Sequence, residues 1–321
     1  MNDILSTENR ITFATANLLN FVAPPGAYYD FENIYSFDDW QDKLTWTKSQ
    51  FEQLSPDIIG LQEVFSIQET KDFFAEIGYL YFASVDTPHI EGDYIYSRPV
   101  VALASRFPIE HVEAVTFEQN TLDVFGSMSA PPFSRKPLRA HIIHPIIGHI
   151  AVYVMHLKSQ RPADSDKPED ASKPIARWLS TQQRGWEAAM LRDAMQKQYA
   201  LNPMPTLLMG DMNQTITPTS VNNVLVEPYG DSVTDLQLTD GWKLQVAPSL
   251  DSRPATHYYF AKGNVLDYIL LSQEFDAHAD VSIAEVTDYQ VLDTHLINPS
   301  FARDKNASDH AFVALTVEIK L

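Results

Sequence analysis

Six polar clusters in this chain lie at the ends of apolar, strand-like runs or inside one. Asn17 follows ITFATA, Glu63 follows PDIIGLQ, His156 follows IAVYVM, and Asp211 and Asn213 follow TLLMG. Asp309-His310 precede AFVALTV, and Asp267 is embedded in VLDYILL. Removing a carboxylate, an amide or an imidazole from water is costly unless each finds a partner. When many strands carry such groups at their ends, the economical reading is that the ends converge on one polar site. That site would be rich in oxygen ligands, with two histidines and no thiol. The chemistry it suggests is hydrolysis of a phosphate ester assisted by a hard divalent cation.

Each residue has a role on this reading. Glu63 suits Mg²⁺, which takes carboxylate and water oxygens in octahedral geometry. Asn17 taken alone reads as a turn residue before Leu18-Leu19-Asn20. Gly210 lets the chain turn and Met212 faces the core, so Asp211 and Asn213 point the same way. Asp211 can orient or deprotonate a water, and the Asn213 amide can steady a phosphoryl oxygen. A carboxylate buried in VLDYILL needs a partner, and His310 supplies one; the Asp267–His310 pair would fix one imidazole tautomer and raise its basicity. His156 is followed by Lys158, a candidate phosphate contact; by itself His156 reads as a strand-end histidine.

Strands are expected over 11–17, 57–63, 100–105, 206–209, 265–271 and 311–319. A hairpin is expected from 138–143 and 149–155 around Pro145-Ile146-Ile147-Gly148. Trp40, Leu44, Phe51 and Leu54 recur at helical spacing behind Asp38-Asp39. A second helix is expected from Ser66, with Glu69 completing a capping box, to about Gly78. A third is expected from Ser180, with Gln183 at capping spacing and Trp186, Met190 and Leu191 facing inward. Arg161–Pro174 is polar and proline-rich and reads as a loop. The strand-helix-strand order occurs twice with no linker-like break, which predicts one domain over residues 1–321.

Composition narrows the classes. With 23 Lys and Arg against 42 Asp and Glu, the net charge is −19, which argues against a broad grip on duplex DNA. The chain has no cysteine, so disulfides and thiolate-bound zinc are excluded. MNDILSTENR lacks a basic stretch followed by an apolar core. A cytoplasmic location is expected, or secretion where a leader has been removed, with no stable membrane insertion.

The ordered set Asn17, Leu61-Gln62-Glu63, His156-Leu157-Lys158-Ser159, Gly210-Asp211-Met212-Asn213, Asp267-Tyr268-Ile269 and Ser308-Asp309-His310 resembles the endonuclease/exonuclease/phosphatase superfamily. Its members include pancreatic deoxyribonuclease, abasic-site endonucleases, bacterial sphingomyelinases and inositol polyphosphate 5-phosphatases. The resemblance implies a four-layer α/β/β/α sandwich with two packed mixed β-sheets and a phosphoesterase dependent on Mg²⁺, or on Mn²⁺ in its place. It makes Glu63 the principal metal ligand, with Asn17 and Asp309 beside it. Asp211 and Asn213 would handle the attacking water and the phosphoryl group. His310, backed by Asp267, would bind the scissile phosphate or serve as acid/base. His156 matches the second histidine of the deoxyribonuclease and sphingomyelinase branches. Phe133-Ser134-Arg135 resembles a phosphate-binding arginine segment. One departure stands out: where the deoxyribonuclease branch supports that second histidine with a glutamate, this chain reads Tyr96-Ser97-Arg98-Pro99.

Other features have plainer readings. His141 and His144 would face opposite sides of a strand, which speaks against a zinc site with His149. Phe21–Phe37 and Thr256–Phe260 could wall a substrate but read first as packed aromatics. The substrate is either a lipid head group or small phosphoester, most simply a phosphodiester, or DNA or RNA cut by a nuclease. A catalytically silent binding module of the same fold is the rival from another class.

Overall fold

The computed structural model describes residues 9–320 apart from 127, 166–168, 229, 231, 233–234 and 249–251. Most of the N-terminal decapeptide and part of the Arg161–Pro174 segment lie outside the described residues. Two six-stranded sheets carry the fold. The first is built from β1 (Arg10–Phe21), β2 (Ile58–Val64), β3 (Tyr81–Ser84), β4 (Val100–Ser105), β11 (Ala284–Leu292) and β12 (Phe312–Ile319), in the order β11-β12-β1-β2-β4-β3. The second is built from β5 (Ile109–Ala114), β6 (Leu138–His144), β7 (Gly148–His156), β8 (Thr206–Asp211), β9 (Leu238–Asp240) and β10 (Asp267–Ser272), in the order β9-β10-β8-β7-β6-β5. Each sheet is mixed, with one parallel pair, β1–β2 in the first and β7–β8 in the second. A parallel pair needs a crossover, and a helix supplies it both times.

These crossovers are α1 (Phe37–Leu54) and α3 (Lys173–Leu201); α2 (Ile67–Glu76) follows β2. Helix α1 starts where the Ser36 side chain accepts the Asp39 N–H, with Asp38 and Asp39 in its first turn facing the positive end of the dipole. The expected capping box of α2 does not form. The Ser66 Oγ instead accepts the Ala23 N–H at 2.8 Å, tying the turn after β1 to this helix. Helix α3 begins at Lys173 rather than Ser180, because Pro174 fits a first helical turn. The Ser180 hydroxyl is mid-helix and donates to the Arg161 carbonyl at 2.6 Å.

Alternation along the strands sorts the apolar residues into layers. Phe13, Ile58 and Leu103 of the first sheet meet Val152, Leu207 and Ile269 of the second in a central core. Outside the first sheet, Trp40, Trp46 and Phe51 of α1 and Phe73 and Phe74 of α2 cover Ala14, Ile59 and Ala102. Outside the second, Leu191, Met195 and Tyr199 of α3 cover Tyr153, Leu208 and Leu270. The result is a four-layer α/β/β/α sandwich, as the family resemblance implies. Gly60 lets the sheets approach closely, since a Cβ there would lie 2.7 Å from Met209 Cγ. The hairpin of β6 and β7 forms as expected, and His141 and His144 do face opposite ways: His144 is buried, whereas His141 contacts Arg139 and His111. Among the described residues, no helix is long and apolar enough to cross a membrane.

Candidate active site

Strand register lines up the polar residues at one end of each sheet. In the second sheet His156 lies beside Asp211, and Asp211 beside Asp267. Gly210 makes this possible: its φ of +149° and a Cβ position only 1.9 Å from the Met155 carbonyl oxygen exclude any side chain there. Met212 is buried, as its spacing requires. In the first sheet Asn17 lies opposite Gln62, and the ladder is irregular just beyond, between Leu61 and Val64. Glu63 sits in that irregularity with a left-handed φ of 60°, a conformation costly for a non-glycine residue. His310 leads into β12, and its backbone is fixed by the Ser308 hydroxyl, which also donates to the Asn17 carbonyl at 2.7 Å.

The two sheet ends meet at Asp211. Its Oδ2 accepts from Asn17 Nδ2 at 3.2 Å and lies 3.4 Å from His156 Nε2 and 3.8 Å from His310 Nε2. Its Oδ1 accepts the Asn213 N–H at 2.7 Å. His310 Nδ1 holds Asp267 Oδ2 at 2.8 Å, the pair expected from the sequence. Burial raises the Asp211 carboxyl, partly offset by the His310 charge. Burial also opposes a charged His310, but the Asp267 and Asp211 carboxylates override it and hold the ring well above the usual histidine range. His156 goes the other way. Burial, then the charges of Arg135 and His310, push it well below that range. Its Nδ1 is buried without a hydrogen-bond partner. The missing carboxylate at Tyr96–Pro99 thus has a structural counterpart: a neutral His156 ring whose Nε2 faces Asp211.

Glu63 Oε2 accepts the Asn20 N–H at 2.9 Å, while Oε1 is only loosely held by Asn17 Nδ2 at 3.5 Å. Asn17 and Glu63 are therefore neighbours. The exposed Asp309 carboxylate groups most closely with His257 and His310, whose ligand atoms lie within 4.8 Å of it and of one another. Asp211, Asp267 and His310 form a second such group. Asn213 spends its side-chain N–H on the Leu157 carbonyl at 2.9 Å, which Arg135 Nη1 also reaches at 3.4 Å.

Four residues escaped the sequence reading. Lys43 is buried on the inner face of α1, reaches the Asn306 carbonyl at 3.4 Å and lies 5.6 Å from the Tyr35 ring centre. Burial brings its ammonium down to about 8, against the pull of Glu63 and Asp309. Glu187, buried in α3, accepts the Ser134 N–H at 2.8 Å and the Lys158 N–H at 2.7 Å. Arg184, one turn earlier, donates to the Lys158 carbonyl at 3.1 Å. The signal for these three was a charge on the apolar face of a helix. His257 was seen only as part of the aromatic stretch Thr256–Phe260; its neighbours are visible only in three dimensions. The Phe21–Phe37 segment is mixed: Tyr28 and Tyr35 pack together, with Tyr35 against Trp40, while Phe31 and Phe37 are exposed.

The family model described as Endonuclease/Exonuclease/phosphatase family matches residues 14–310. The chain belongs to the endonuclease/exonuclease/phosphatase family. Members of the family are in general hydrolytic phosphoesterases that depend on a divalent metal. No curated protein sequence matches the chain. Among solved structures it resembles humanized TDP2 of D. rerio, with 14% identity and a TM-score of 0.59 over 97% of this chain and 99% of that one. The human Nocturnin catalytic domain gives 17% identity and a TM-score of 0.58 over 97% and 95%. An AP endonuclease from Archaeoglobus fulgidus gives 16% and 0.57 over 97% and 100%. At such identities the likeness speaks for the shared fold. The family's metal fits the donors here: carboxylate and amide oxygens from Glu63, Asp309 and Asn17 suit a hard cation. Asn20 Oδ1 and Asp267 Oδ1 are buried acceptors with no hydrogen-bond partner, as in a site completed by something bound.

Proposed function

We propose that this chain hydrolyses a phosphodiester by in-line attack of water, with Mg²⁺ or Mn²⁺ held at Glu63, Asn17 and Asp309. The observation that carries the reading is the convergence of both sheet ends on Asp211, through Asn17, His156 and His310. A bound cation would supply Lewis-acid polarisation of the phosphoryl group. Asp211 orients the attacking water and accepts its proton. His310, kept cationic by Asp267, meets the developing negative charge on phosphorus-bound oxygen. His156, neutral and wedged against Asp211, orients that carboxylate and moves no proton itself. Arg135 and Lys158 approach the phosphate from the loops that Glu187 braces. The acidic charge of −19 favours a small phosphoester or lipid head group over a long nucleic acid.

The test is hydrolysis of bis-p-nitrophenyl phosphate and p-nitrophenyl phosphate with Mg²⁺ or Mn²⁺, against EDTA and Glu63→Ala controls. Diester cleavage abolished by both controls is the expected result. Cleavage that survives Glu63→Ala would remove Glu63 from the metal site, and preference for the monoester would overturn the diesterase reading.

A further inference from the structure

We propose that His111, His141 and His149, on the outer face of the second sheet, bind one Zn²⁺, Ni²⁺ or Cu²⁺ ion, with Glu110 and Glu113 behind them. The place is remote from Asp211: seven residues of β7, about 23 Å of extended strand, separate His149 from His156. Three observations carry the inference. Strand register sets His111 of β5 directly opposite His141 of β6, and their ring centres stand 5.5 Å apart. His149 of β7 approaches His141 from the other side, with ring centres 6.5 Å apart. Each outer imidazole already has a carboxylate on one nitrogen: Glu113 Oε2 lies 3.3 Å from His111 Nε2, and Glu110 Oε2 lies 3.4 Å from His149 Nδ1.

The distances decide which rings can share an ion. A ligating nitrogen sits about 2.0–2.1 Å from Zn²⁺, which puts the ring centre about 3.2 Å away and two rings of a tetrahedral site about 5 Å apart. His111 and His141 stand close to that spacing. His149 must approach by about 1 Å, a movement open to a side chain that is half exposed. The register shift between Ile109 and His111 assembles the group. By it Glu110 and His111 both reach the outer face, where strict alternation would turn one of them into the core. A carboxylate behind a ligating histidine orients the ring and strengthens the nitrogen left free, here Nδ1 of His111 and Nε2 of His149. In His141, burial and then the Arg139 charge lower the hold on a proton. Arg139 Nη2, a donor only, lies 2.9 Å from His141 Nε2 and so marks that nitrogen as the unprotonated one. An ion arriving there takes its lone pair, and Arg139 keeps Glu113 through Nη1. Two carboxylates against one guanidinium favour a cation. His144, buried on the opposite face, takes no part. Imidazole donors suit Zn²⁺, Ni²⁺ or Cu²⁺, whereas Mg²⁺ favours oxygen and keeps its water. Strand β5 is the edge of its sheet and pairs there with β6, so an ion on all three histidines pins three strands together.

Zn²⁺ titrated by calorimetry into the full-length protein in excess Mg²⁺ tests this, with the melting temperature followed alongside. A double variant, His111→Gln with His149→Gln, should bind one Zn²⁺ fewer per chain than wild type. Each single change should weaken that ion by more than the about 10–100-fold typical of losing a supporting partner. Zn²⁺ should raise the melting temperature of wild type more than that of the double variant, since an ion that binds the folded chain stabilises it. Equal stoichiometry and affinity in wild type and the double variant overturn the proposal, including the case in which neither binds Zn²⁺. Should the double variant fail to fold, substoichiometric Cu²⁺ added to wild type decides the matter. Selective broadening of the His111, His141 and His149 imidazole signals supports the site, and broadening that spares them overturns it.

Discussion

Asp211 touches donors from both halves of the sandwich, and its environment is unusual for an acid. It is buried, flanked by two imidazoles and an amide, and near two other carboxylates, Asp267 and Glu63. On the proposed reading this group orients the attacking water and takes its proton. Asp211→Asn or His310→Ala should therefore lower turnover by about 10²–10⁴, the range for losing a general base or an electrostatic stabiliser. Steady-state kinetics on the preferred ester check this, and turnover within threefold of wild type for both variants would reject the assignment. These residues were legible because a polar group at the end of an apolar strand is costly to keep unless it meets partners there. The partners themselves were not legible. That His156 has no carboxylate behind it could be noticed as a gap at Tyr96–Pro99, but the buried, unpartnered Nδ1 that results is a tertiary fact.

Helix α3 and the β6–β7 hairpin show what single elements contribute. Glu187 holds two loops at once, through the backbone N–H groups of Ser134 and Lys158. Each donor left buried and unpaired costs about 1–3 kcal/mol. Glu187→Ala should lower the melting temperature and raise KM more than it lowers kcat, because Arg135 and Lys158 lose their setting. Equal loss in kcat with unchanged KM would contradict that. At the hairpin, His144 Nδ1 accepts the N–H groups of Ile146 at 3.3 Å and Ile147 at 3.1 Å. Burial lowers its affinity for a proton. The unfolded chain binds that proton more readily, so stability contributed here is full above the ordinary histidine range and falls as pH drops through it. Urea denaturation of wild type and His144→Asn between neutral and mildly acidic pH should show the steeper loss in wild type; parallel profiles would exclude His144 as a cause. The capping box of α2 and the start of α3 were misread for one physical reason. Ser66 and Ser180 have the composition of caps, but Ala23 and Arg161, distant in sequence, claim their hydroxyls.

Over the whole molecule, charge and topology set the limits. A body with a net charge of −19 repels polyanions, and salt screens that repulsion over a Debye length of about 10 Å at 0.1 M. We expect kcat/KM on an oligonucleotide to rise with ionic strength, while that on bis-p-nitrophenyl phosphate changes far less. A steep fall for the oligonucleotide would mean that Arg135, Lys158 and their neighbours govern encounter, and would favour a nuclease. Two sheets in one domain were legible because the strand-helix-strand pattern occurs twice and each half supplies one crossover; the four-layer order came from the family resemblance. How the halves seat on each other was not legible, since it depends on a close approach at Gly60 and on the contact from Asn17 to Asp211. That seating also has a consequence for synthesis. Strand β1, which ends the approach to Asn17, pairs with β12, and the residues leading into β12 include Asp309 and His310. Domains generally fold as units while the chain emerges at about 5–20 residues per second. A ribosome must therefore translate through Ile319 before the first strand can pair along the whole of β12, and on the proposed reading every shorter nascent chain is inert toward phosphoesters.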